Sequence, residues 1–430
     1  MNDSIVPRDR PEVMPRRAGW LDRRARDGML ARLEGLEEGE LVLIQGDERH
    51  PFGQATDVFP VRATLTVRSP RFWSALALGG SLGAAESYIA GEWACDDLAD
   101  LVRIMVRNRR LLEATEGGLA RLAVPLARLY HWLRRNTRAG SRANIAAHYD
   151  LGNDFYALFL DETMTYSCAV FERPNMSLAE AQTAKYDRLC RKLALSPKDH
   201  LLEIGTGWGG FALHAAHVYG CQVTTTTISR EQAAYARRRL EAAGLGDRVE
   251  VLEADYRDLA GRYDKLVSIE MIEAVGHQYL NAFLRTCAGL LHPHGLMALQ
   301  AITIADQLYD RHVRTVDFIK RYVFPGSCLL SVTAMCAAAT RASDLRAVHL
   351  EDITPHYART LRTWRKRFLA RADEVRAMGF PGAFLRLWEY YLAYCEGAFA
   401  ERYIGDVQMV FAKPLDRRPP ILPPLPAAGT

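Results

Sequence analysis

The feature of this sequence that most restricts its fold is a glycine-rich segment, Gly205-Thr206-Gly207-Trp208-Gly209-Gly210. It follows the apolar run His200 to Ile204 and precedes a predicted helix. Glycines are needed where a backbone turns tightly and approaches a ligand with no side chain between them. From this segment to residue 303, short apolar strands alternate with helical stretches. Such alternation predicts a parallel sheet covered by helices on both faces.

Two ligands are compatible with this loop, because its G-x-G-x-x-G spacing also matches the dinucleotide fingerprint. Three features favour S-adenosylmethionine. Glu203 precedes the first glycine by two residues, where a carboxylate can meet the ammonium group of the methionine part. Asp255 and Tyr256 follow the third strand, positioned for the adenine amine and ring. The second strand, Val223 to Ser229, lacks the terminal acid that a dinucleotide site expects.

Composition restricts the cellular setting. The 430 residues exceed one average domain, and 49% hydrophobic with 25% charged residues is typical of an ordered protein. No apolar run is long enough for a transmembrane helix, and the first residues lack the apolar core of a secretory signal. The eight cysteines show no zinc-ligand or redox spacing, which predicts reduced thiols and a cytoplasmic location.

The pairs His214/His217 and His292/His294 lack acidic or cysteine companions, so we expect no metal site.

The chain divides by composition into five segments. The predicted boundaries are a disordered basic tail at 1–18, a small α+β domain at 19–110, an amphipathic helical connector at 111–145, an α/β domain at 146–413 and a Pro-rich tail at 414–430.

Arginines cluster near Arg16–Arg26 and near Arg128–Arg142. Such clusters suit an anionic membrane surface, a nucleic acid, or simply solvated helix faces. No nucleic-acid-binding motif accompanies them, so we expect no nucleic-acid partner. The connector, which carries Tyr130 and Trp132, is typical either of an interfacial membrane helix or of a brace between domains.

Seven separated blocks carry a resemblance to a known family. They are His148–Tyr156, Met164–Ala169, Leu202–Gly210, Thr227–Gln232, Asp255–Asp258, Ser268–His277 and Tyr390–Phe399. In this order, over residues 144–413, they resemble the cyclopropane fatty acid synthases and mycolic acid cyclopropane synthases, which use S-adenosylmethionine. Glu86–Trp93 also looks like part of that family's N-terminal domain, less specifically.

The resemblance implies an α/β fold, a Rossmann-like class I methyltransferase with a mainly parallel sheet, helical lid insertions and a small N-terminal α+β lipid-binding domain. It implies methyl transfer to the cis double bond of an acyl chain in a membrane phospholipid, giving a cyclopropane fatty acid. Peripheral contact with the inner face of the membrane and a homodimer through the N-terminal domain are further expectations. A non-catalytic lipid-binding protein is the alternative from another class.

The resemblance also implies a donor site. Gln232 would bind the ribose, and Tyr256 would lie against the adenine. The full set of predicted donor-binding residues is Tyr166, Ser167, Glu203, Gly205, Thr206, Gly207, Trp208, Gly209, Thr227, Gln232, Asp255, Tyr256 and Arg257.

Methyl addition to an alkene creates a carbocation, so the site must exclude water, stabilise positive charge and supply a base. Aromatic rings of the segment 357–399 could stabilise the cation. In the family a bicarbonate serves as base, held by a Cys, a Glu, a His, an Ile and a Tyr. The matching positions here are Cys168, Glu273, Gln300, Ile302 and Tyr357.

Gln300 departs from the family's histidine, and a glutamine has no titratable proton. With an altered base the cation could lose another proton, so a methylene or methyl-branched product stays open. Cys395 matches the cysteine often marked as active in the family, but the reaction needs no thiolate. We therefore expect Cys395 to line the pocket.

Overall fold

The computed structural model describes residues 18–111 and 151–422, and these form two compact units. The first unit combines the chain up to Leu160 with Gln307–Cys328 and Thr354–Gly405, and the second combines Asp161–Asp306, Leu329–Ile353 and the chain from Asp406. The predicted tail at 1–18, apart from its last residue, the predicted connector at 111–145, apart from its first residue, and residues 423–430 lie outside the described residues.

The helices and strands follow the apolar patterning of the sequence. In chain order they are α1 Trp20–Leu33, β1 Gly39–Gln45, β2 Glu48–Gln54, β3 Arg62–Val67, α2 Arg71–Ile89, β4 Trp93–Cys95, α3 Leu98–Arg107, α4 Asn153–Ala157, α5 Leu178–Lys192, β5 His200–Ile204, α6 Gly210–Tyr219, β6 Gln222–Thr227, α7 Arg230–Ala242, β7 Val249–Glu253, β8 Tyr263–Ile269, α8 Leu280–Leu290, β9 Leu291–Ile304, α9 Asp306–Arg314, α10 Val332–Ala342, β10 Arg346–Asp352, α11 Thr354–Ala370, α12 Ala372–Ala377, α13 Gly382–Ala400 and β11 Ile404–Ala412.

A four-stranded sheet in the order β2-β1-β3-β4 lies in the first unit. β1 pairs antiparallel with β2 and parallel with β3, and β3 pairs antiparallel with β4. On β3 the side chains of Ala63, Leu65 and Val67 are buried while their neighbours are more exposed, as predicted for a strand with one face on a core. Helix α1 packs against α2, α2 contacts β4, and α3 packs against β1 and β3, which gives the α+β arrangement expected.

The two units are interleaved along the chain, whereas the sequence predicted contiguous domains at 19–110 and 146–413. The residues 354–405 group with the first unit because α13 packs against α3, α2 and α11. Aromatic residues of α4 and α13 form part of the same core, with the Phe155 and Trp388 rings 4.7 Å apart.

The second unit is built on a seven-stranded sheet in the order β10-β11-β9-β8-β5-β6-β7. β5 is parallel to β6 and β8, β6 to β7 and β8 to β9, while β10 is antiparallel to β11. Leu201, Val223 and Val267 from these strands pack with Phe211 and Ala215 of α6. This confirms the predicted α/β class with a mainly parallel sheet.

The parallel strands place their carboxyl ends at one edge of the sheet, where ligands bind in open α/β folds. The glycine-rich segment leaves β5 there, Glu270 follows β8, and Gln300 on β9 is the register partner of Ile269 on β8. The candidate site is therefore assembled at this edge.

Strand β10 lies in a region predicted to be mainly helical. Its sequence has no strict alternation, and most of its residues are exposed because β11 is its partner on one side only. An edge strand of this kind gives little periodic signal. Within residues 18–111 and 151–422, no helix has both the length and the apolar character needed to cross a membrane.

Candidate active site

The glycine-rich segment turns through backbone conformations that other residues rarely adopt. The φ angles of Gly205, Gly207 and Gly209 are 107°, 51° and 81°. A Cβ on Gly210 would lie 2.5 Å from the hydroxyl oxygen of Tyr186. The segment therefore needs glycine both for its left-handed conformations and for its close packing, as the sequence predicted.

Glu203 lies beneath this turn and is almost completely buried. The Thr225 hydroxyl donates to Glu203 Oε2 over 2.6 Å and lies 2.7 Å from the hydroxyl of Thr206. Burial raises the pKa of Glu203 to about 8. A buried carboxyl of this kind would gain from a nearby cation, which is consistent with the predicted role toward the donor's ammonium group.

The end of β6 brings two further predicted donor residues together. The Thr227 hydroxyl donates to Gln232 Oε1 over 3.1 Å, and both side chains are buried. The Ser229 side chain caps α7 by accepting from the Gln232 N–H. Gln232 is thus held in a defined position at the start of α7.

Asp255, Tyr256 and Arg257 form a compact group after β7. Arg257 donates from Nε and Nη2 to the two oxygens of Asp255, over 2.7 and 2.5 Å. The guanidinium carbon also lies 5.4 Å from the centre of the Tyr256 ring. The structure brings the three predicted residues together, and their contacts with adenine remain a prediction.

The segment Tyr166-Ser167-Cys168 is held by two side chains of α5 that the sequence reasoning missed. Gln182 Nε2 donates to the Ser167 carbonyl oxygen over 2.9 Å, and Lys185 Nζ donates to the Ser167 hydroxyl over 2.7 Å. Both side chains are fully buried, and burial lowers the pKa of Lys185 to about 8. Polar residues three positions apart on a buried helix face were the available signal.

Gln300 is the centre of a buried hydrogen-bond network. Its Nε2 donates to Glu270 Oε1 over 2.7 Å and lies 3.4 Å from the carbonyl oxygen of Cys168. The Cys168 N–H donates to the same Glu270 oxygen over 2.8 Å. Asp406 Oδ2 lies 3.3 Å from Gln300 Nε2. Cys168 and Gln300 are therefore brought together, with Glu270 and Asp406 as two acids that the sequence reasoning did not single out.

Glu273 and Ile302 are also in contact, because the Ile302 N–H donates to Glu273 Oε1 over 2.6 Å. Glu273 Oε2 is buried and finds no hydrogen-bond partner among the described residues. Burial, reinforced by the nearby Glu270 carboxylate, raises the pKa of Glu273 to about 8. Burial likewise raises the pKa of the Cys168 thiol well above its usual range, so Cys168 is not a thiolate.

Two predicted site residues belong to the first unit. Tyr357 on α11 is buried and stacks on Phe399, with ring centres 4.3 Å apart. Cys395 on α13 is partly buried, and desolvation raises the pKa of its thiol. The structure therefore groups Cys168, Glu273, Gln300 and Ile302 in the second unit, and Tyr357 and Cys395 in the first.

Comparison with known proteins gives a consistent result. A family model described as mycolic acid cyclopropane synthetase matches residues 136–409. The chain is 42% identical over 349 residues to the tuberculostearic acid methyltransferase UfaA1 of Mycobacterium tuberculosis, covering 76% of this chain and 78% of that protein. It is 35% identical over 353 residues to the cyclopropane-fatty-acyl-phospholipid synthase of Escherichia coli strain K12, covering 82% and 88%.

A solved structure also matches the fold. The mycolic acid cyclopropane synthase CmaA1 complexed with SAH and CTAB gives a TM-score of 0.60 at 33% identity, covering 63% of this chain and 98% of that chain. The match to a protein crystallised with SAH agrees with the S-adenosylmethionine site predicted from the glycine-rich segment.

Proposed function

The chain belongs to the mycolic acid cyclopropane synthetase family and is an S-adenosylmethionine-dependent methyltransferase, and on that premise we propose its acceptor and product. The acceptor is the cis double bond of an unsaturated acyl chain in a membrane phospholipid, and the product is a cyclopropane fatty acid. The observation that carries the proposal is the cluster of three acids, Glu270, Glu273 and Asp406, in the same unit as the glycine-rich donor segment; Glu273 and Asp406 are buried and Glu270 is partly buried.

The proposed reaction needs no protein nucleophile. The electron pair of the alkene attacks the methyl carbon of the sulfonium donor, and the carbon–sulfur bond breaks to leave a neutral thioether. The acceptor chain is then a carbocation. A base removes a proton from the added methyl group, and the released electron pair closes the ring. This assignment fits the raised pKa of the Cys168 thiol, because a thiolate is not required.

Glu203, Thr227 and Gln232 are proposed to hold the donor's methionine and ribose parts, and Asp255, Tyr256 and Arg257 its adenine. Support comes from their positions at the ends of successive parallel strands. Water exclusion is supported by the burial of Glu203, Glu273 and Gln300.

The residues predicted to hold bicarbonate fit a free anion poorly. The Ile302 N–H donates to Glu273, while the Cys168 N–H and the Gln300 amide donate to Glu270. The described residues thus use these three donors for the chain's own carboxylates. We assign no step of the proposed reaction to bicarbonate.

The phospholipid acceptor is supported by the name of the Escherichia coli relative, a cyclopropane-fatty-acyl-phospholipid synthase. An acyl chain in a bilayer requires the enzyme to reach the membrane surface, so peripheral association with the inner face of the membrane and a cytoplasmic location are part of the proposal. A homodimer through the N-terminal residues is proposed on the family resemblance alone.

A second product is supported by two specific observations. Gln300, at the position where the family resemblance expects a histidine, donates to Glu270, and the relative that is 42% identical is named a tuberculostearic acid methyltransferase. Loss of a different proton from the same carbocation would give a methylene or methyl-branched chain. Family membership makes the chain an enzyme, so a purely lipid-binding role is set aside.

The test uses the full chain, donor labelled on its methyl group, and vesicles of dioleoyl phosphatidylglycerol. We expect label in the lipid fraction, with vesicles of the saturated dipalmitoyl lipid as the control without acceptor. Mass and fragmentation of the methyl esters would distinguish a ring from a methylene or methyl branch. Equal labelling of both vesicles, or of neither, would contradict the proposed acceptor.

A further inference from the structure

Two hydrogen-bond donors predicted to hold a bicarbonate converge instead on a side chain of the protein. The Cys168 N–H and the Gln300 Nε2–H both reach Glu270 Oε1, over 2.8 and 2.7 Å. A carboxylate has the same planar pair of oxygens as bicarbonate, so it satisfies the same donors. Glu270 therefore fills the place where an anion was expected.

The amide of Gln300 is oriented toward the acids by a chain of hydrogen bonds. Lys192 Nζ donates to Gln408 Oε1 over 2.7 Å, which leaves Gln408 Nε2 to donate to Gln300 Oε1 over 2.9 Å. Because an ammonium can only donate, both amides have one consistent orientation. The Gln300 NH2 group is thus directed at Glu270 and Asp406.

The backbone of Glu270 has an unfavourable conformation, and the hydrogen bonds of the Glu270 side chain offset that cost. Its φ angle is 48°, in the left-handed region that is unfavourable for a residue with a Cβ. Glycine adopts this conformation without that cost. The contacts of the Glu270 carboxylate compensate for a backbone that would suit glycine better.

Asp406 and Lys185 both interact electrostatically with Glu270. Burial and the adjacent Glu270 carboxylate raise the pKa of Asp406 well above its usual range. The buried Lys185 ammonium donates to Ser167, the residue next to Cys168, and interacts electrostatically with Glu270. The ionisable groups around this site are Asp161, Cys168, Lys185, Glu273 and Asp406.

We propose that the Glu270 carboxylate is a built-in replacement for the expected bicarbonate and accepts the proton in the reaction. Its role as proton acceptor rests on the proposed function; its occupation of the anion site does not. In the step, a C–H bond of the carbocation breaks, its electron pair forms the new carbon–carbon bond, and the proton passes to a Glu270 oxygen. Gln300 is a positioning residue, because its amide and the Cys168 N–H hold the Glu270 carboxylate in place.

The substitution Glu270→Gly tests the proposal, because glycine fits the φ angle and leaves the two donors free. In bicarbonate-depleted buffer we expect wild-type labelling to be unchanged and the variant to lose about a hundredfold or more in rate. Added bicarbonate should restore the variant at least about tenfold and leave the wild type unaffected. A wild type that needs bicarbonate, or a variant at full rate without it, would overturn the proposal.

A second measurement does not depend on activity. Thermal unfolding is followed in bicarbonate and in chloride at equal ionic strength. We expect bicarbonate to raise the Tm of Glu270→Gly and not that of the wild type, because only the variant has an empty anion site. Equal shifts in both proteins would refute the built-in anion. Absence of lipid labelling by the wild type under all conditions would instead refute the proposed function.

The matched control is Ala194→Gly. Ala194 also has a positive φ, 50°, and is exposed. The Ala194→Gly variant should relieve backbone strain in the same way, and it should show neither a loss of rate nor a response to bicarbonate. A bicarbonate response in this control would mean that the effect of Glu270→Gly comes from glycine rather than from the carboxylate.

Discussion

Burial changes the protonation of three side chains in the second unit. The pKa values of Glu203 and Glu273 are raised to about 8, and that of Lys185 is lowered to about 8. Each of these shifts is caused mainly by removal from water. At neutral pH the two glutamates are therefore mostly protonated in the folded protein, although they ionise near their usual values once it unfolds.

Glu203 should make the stability of the protein pH-dependent. Its pKa is higher in the folded state, so its contribution is fully present below about pH 4.5 and is lost as the pH rises through about 8. In Glu203→Gln this contribution is absent. The unfolding free energy of the variant relative to wild type should therefore rise with pH across this window, by at most about 1.4 kcal/mol per pH unit.

Urea denaturation at several pH values from 5 to about 8.5 measures this difference. The control is Glu241→Gln on the exposed surface of α7. Its unfolding free energy should change with pH in parallel with that of the wild type. If the unfolding free energy of Glu203→Gln also changed with pH in parallel with that of the wild type, Glu203 would not be protonated in the folded protein.

Several site residues could be predicted from the sequence and others could not. Cys168, Glu273, Gln300 and Ile302 were found through their motif blocks, and the structure brings them into two contacting pairs. Glu270, Asp406 and Lys185 were missed, because they are far apart in sequence and meet through the fold. A carboxylate that accepts bonds from residues 168 and 300 has no local sequence signal.

At the scale of elements, the edge strand β10 is joined to α5 by a cluster of charges. Arg188 Nε and Lys192 Nζ donate to Glu351 Oε2, over 2.7 and 2.5 Å. Hydrogen bonds from both cations lower the pKa of Glu351 to about 2, although burial opposes the shift. The cluster therefore holds a strand that has one neighbour in the sheet.

Glu351→Gln should lower the unfolding free energy by roughly 1–3 kcal/mol, because the buried Lys192 loses its charged partner. Urea denaturation at pH 7 measures the loss. Glu172→Gln is the matched control, since the more exposed Glu172 contacts the same Arg188 at 3.6 Å. It should cost less than about 0.5 kcal/mol. An equal loss of unfolding free energy in Glu351→Gln and Glu172→Gln would contradict the stabilising role given to the Glu351 carboxylate.

The element pattern itself was predicted most reliably where burial is periodic. His200–Ile204 and Leu98–Arg107 have the bounds that the sequence predicted. β2, β4 and β10 were missed because they are short or exposed, and β-strand propensity depends on packing partners that the sequence does not reveal.

At the scale of the whole molecule, the chain passes repeatedly between the two units. Residues 307–328 and 354–405 belong to the first unit although their neighbours in sequence belong to the second. Local periodicity predicted the helices of these segments but not their partners. A fragment starting at residue 146 would lack α2 and α3, against which α13 packs, and would expose part of that helix.

The net charge of +4 predicts a salt-dependent association with anionic lipid. We expect co-sedimentation with dioleoyl phosphatidylglycerol vesicles at low salt and progressive release as ionic strength rises, because screening shortens the range of the attraction. Vesicles of zwitterionic dioleoyl phosphatidylcholine are the control and should bind less. Binding to both vesicles that is insensitive to salt would rule out electrostatic recruitment.

The left-handed backbone at Glu270 has a consequence for how such enzymes diverge. Glutamate codons GAA and GAG differ from the glycine codons GGA and GGG only at the second base. A single transition would therefore remove the carboxylate and relieve the backbone at the same time, while leaving the Cys168 N–H and the Gln300 amide without that acceptor. Under the proposed role of Glu270, that one base change would convert an enzyme with its own carboxylate into one that needs dissolved bicarbonate.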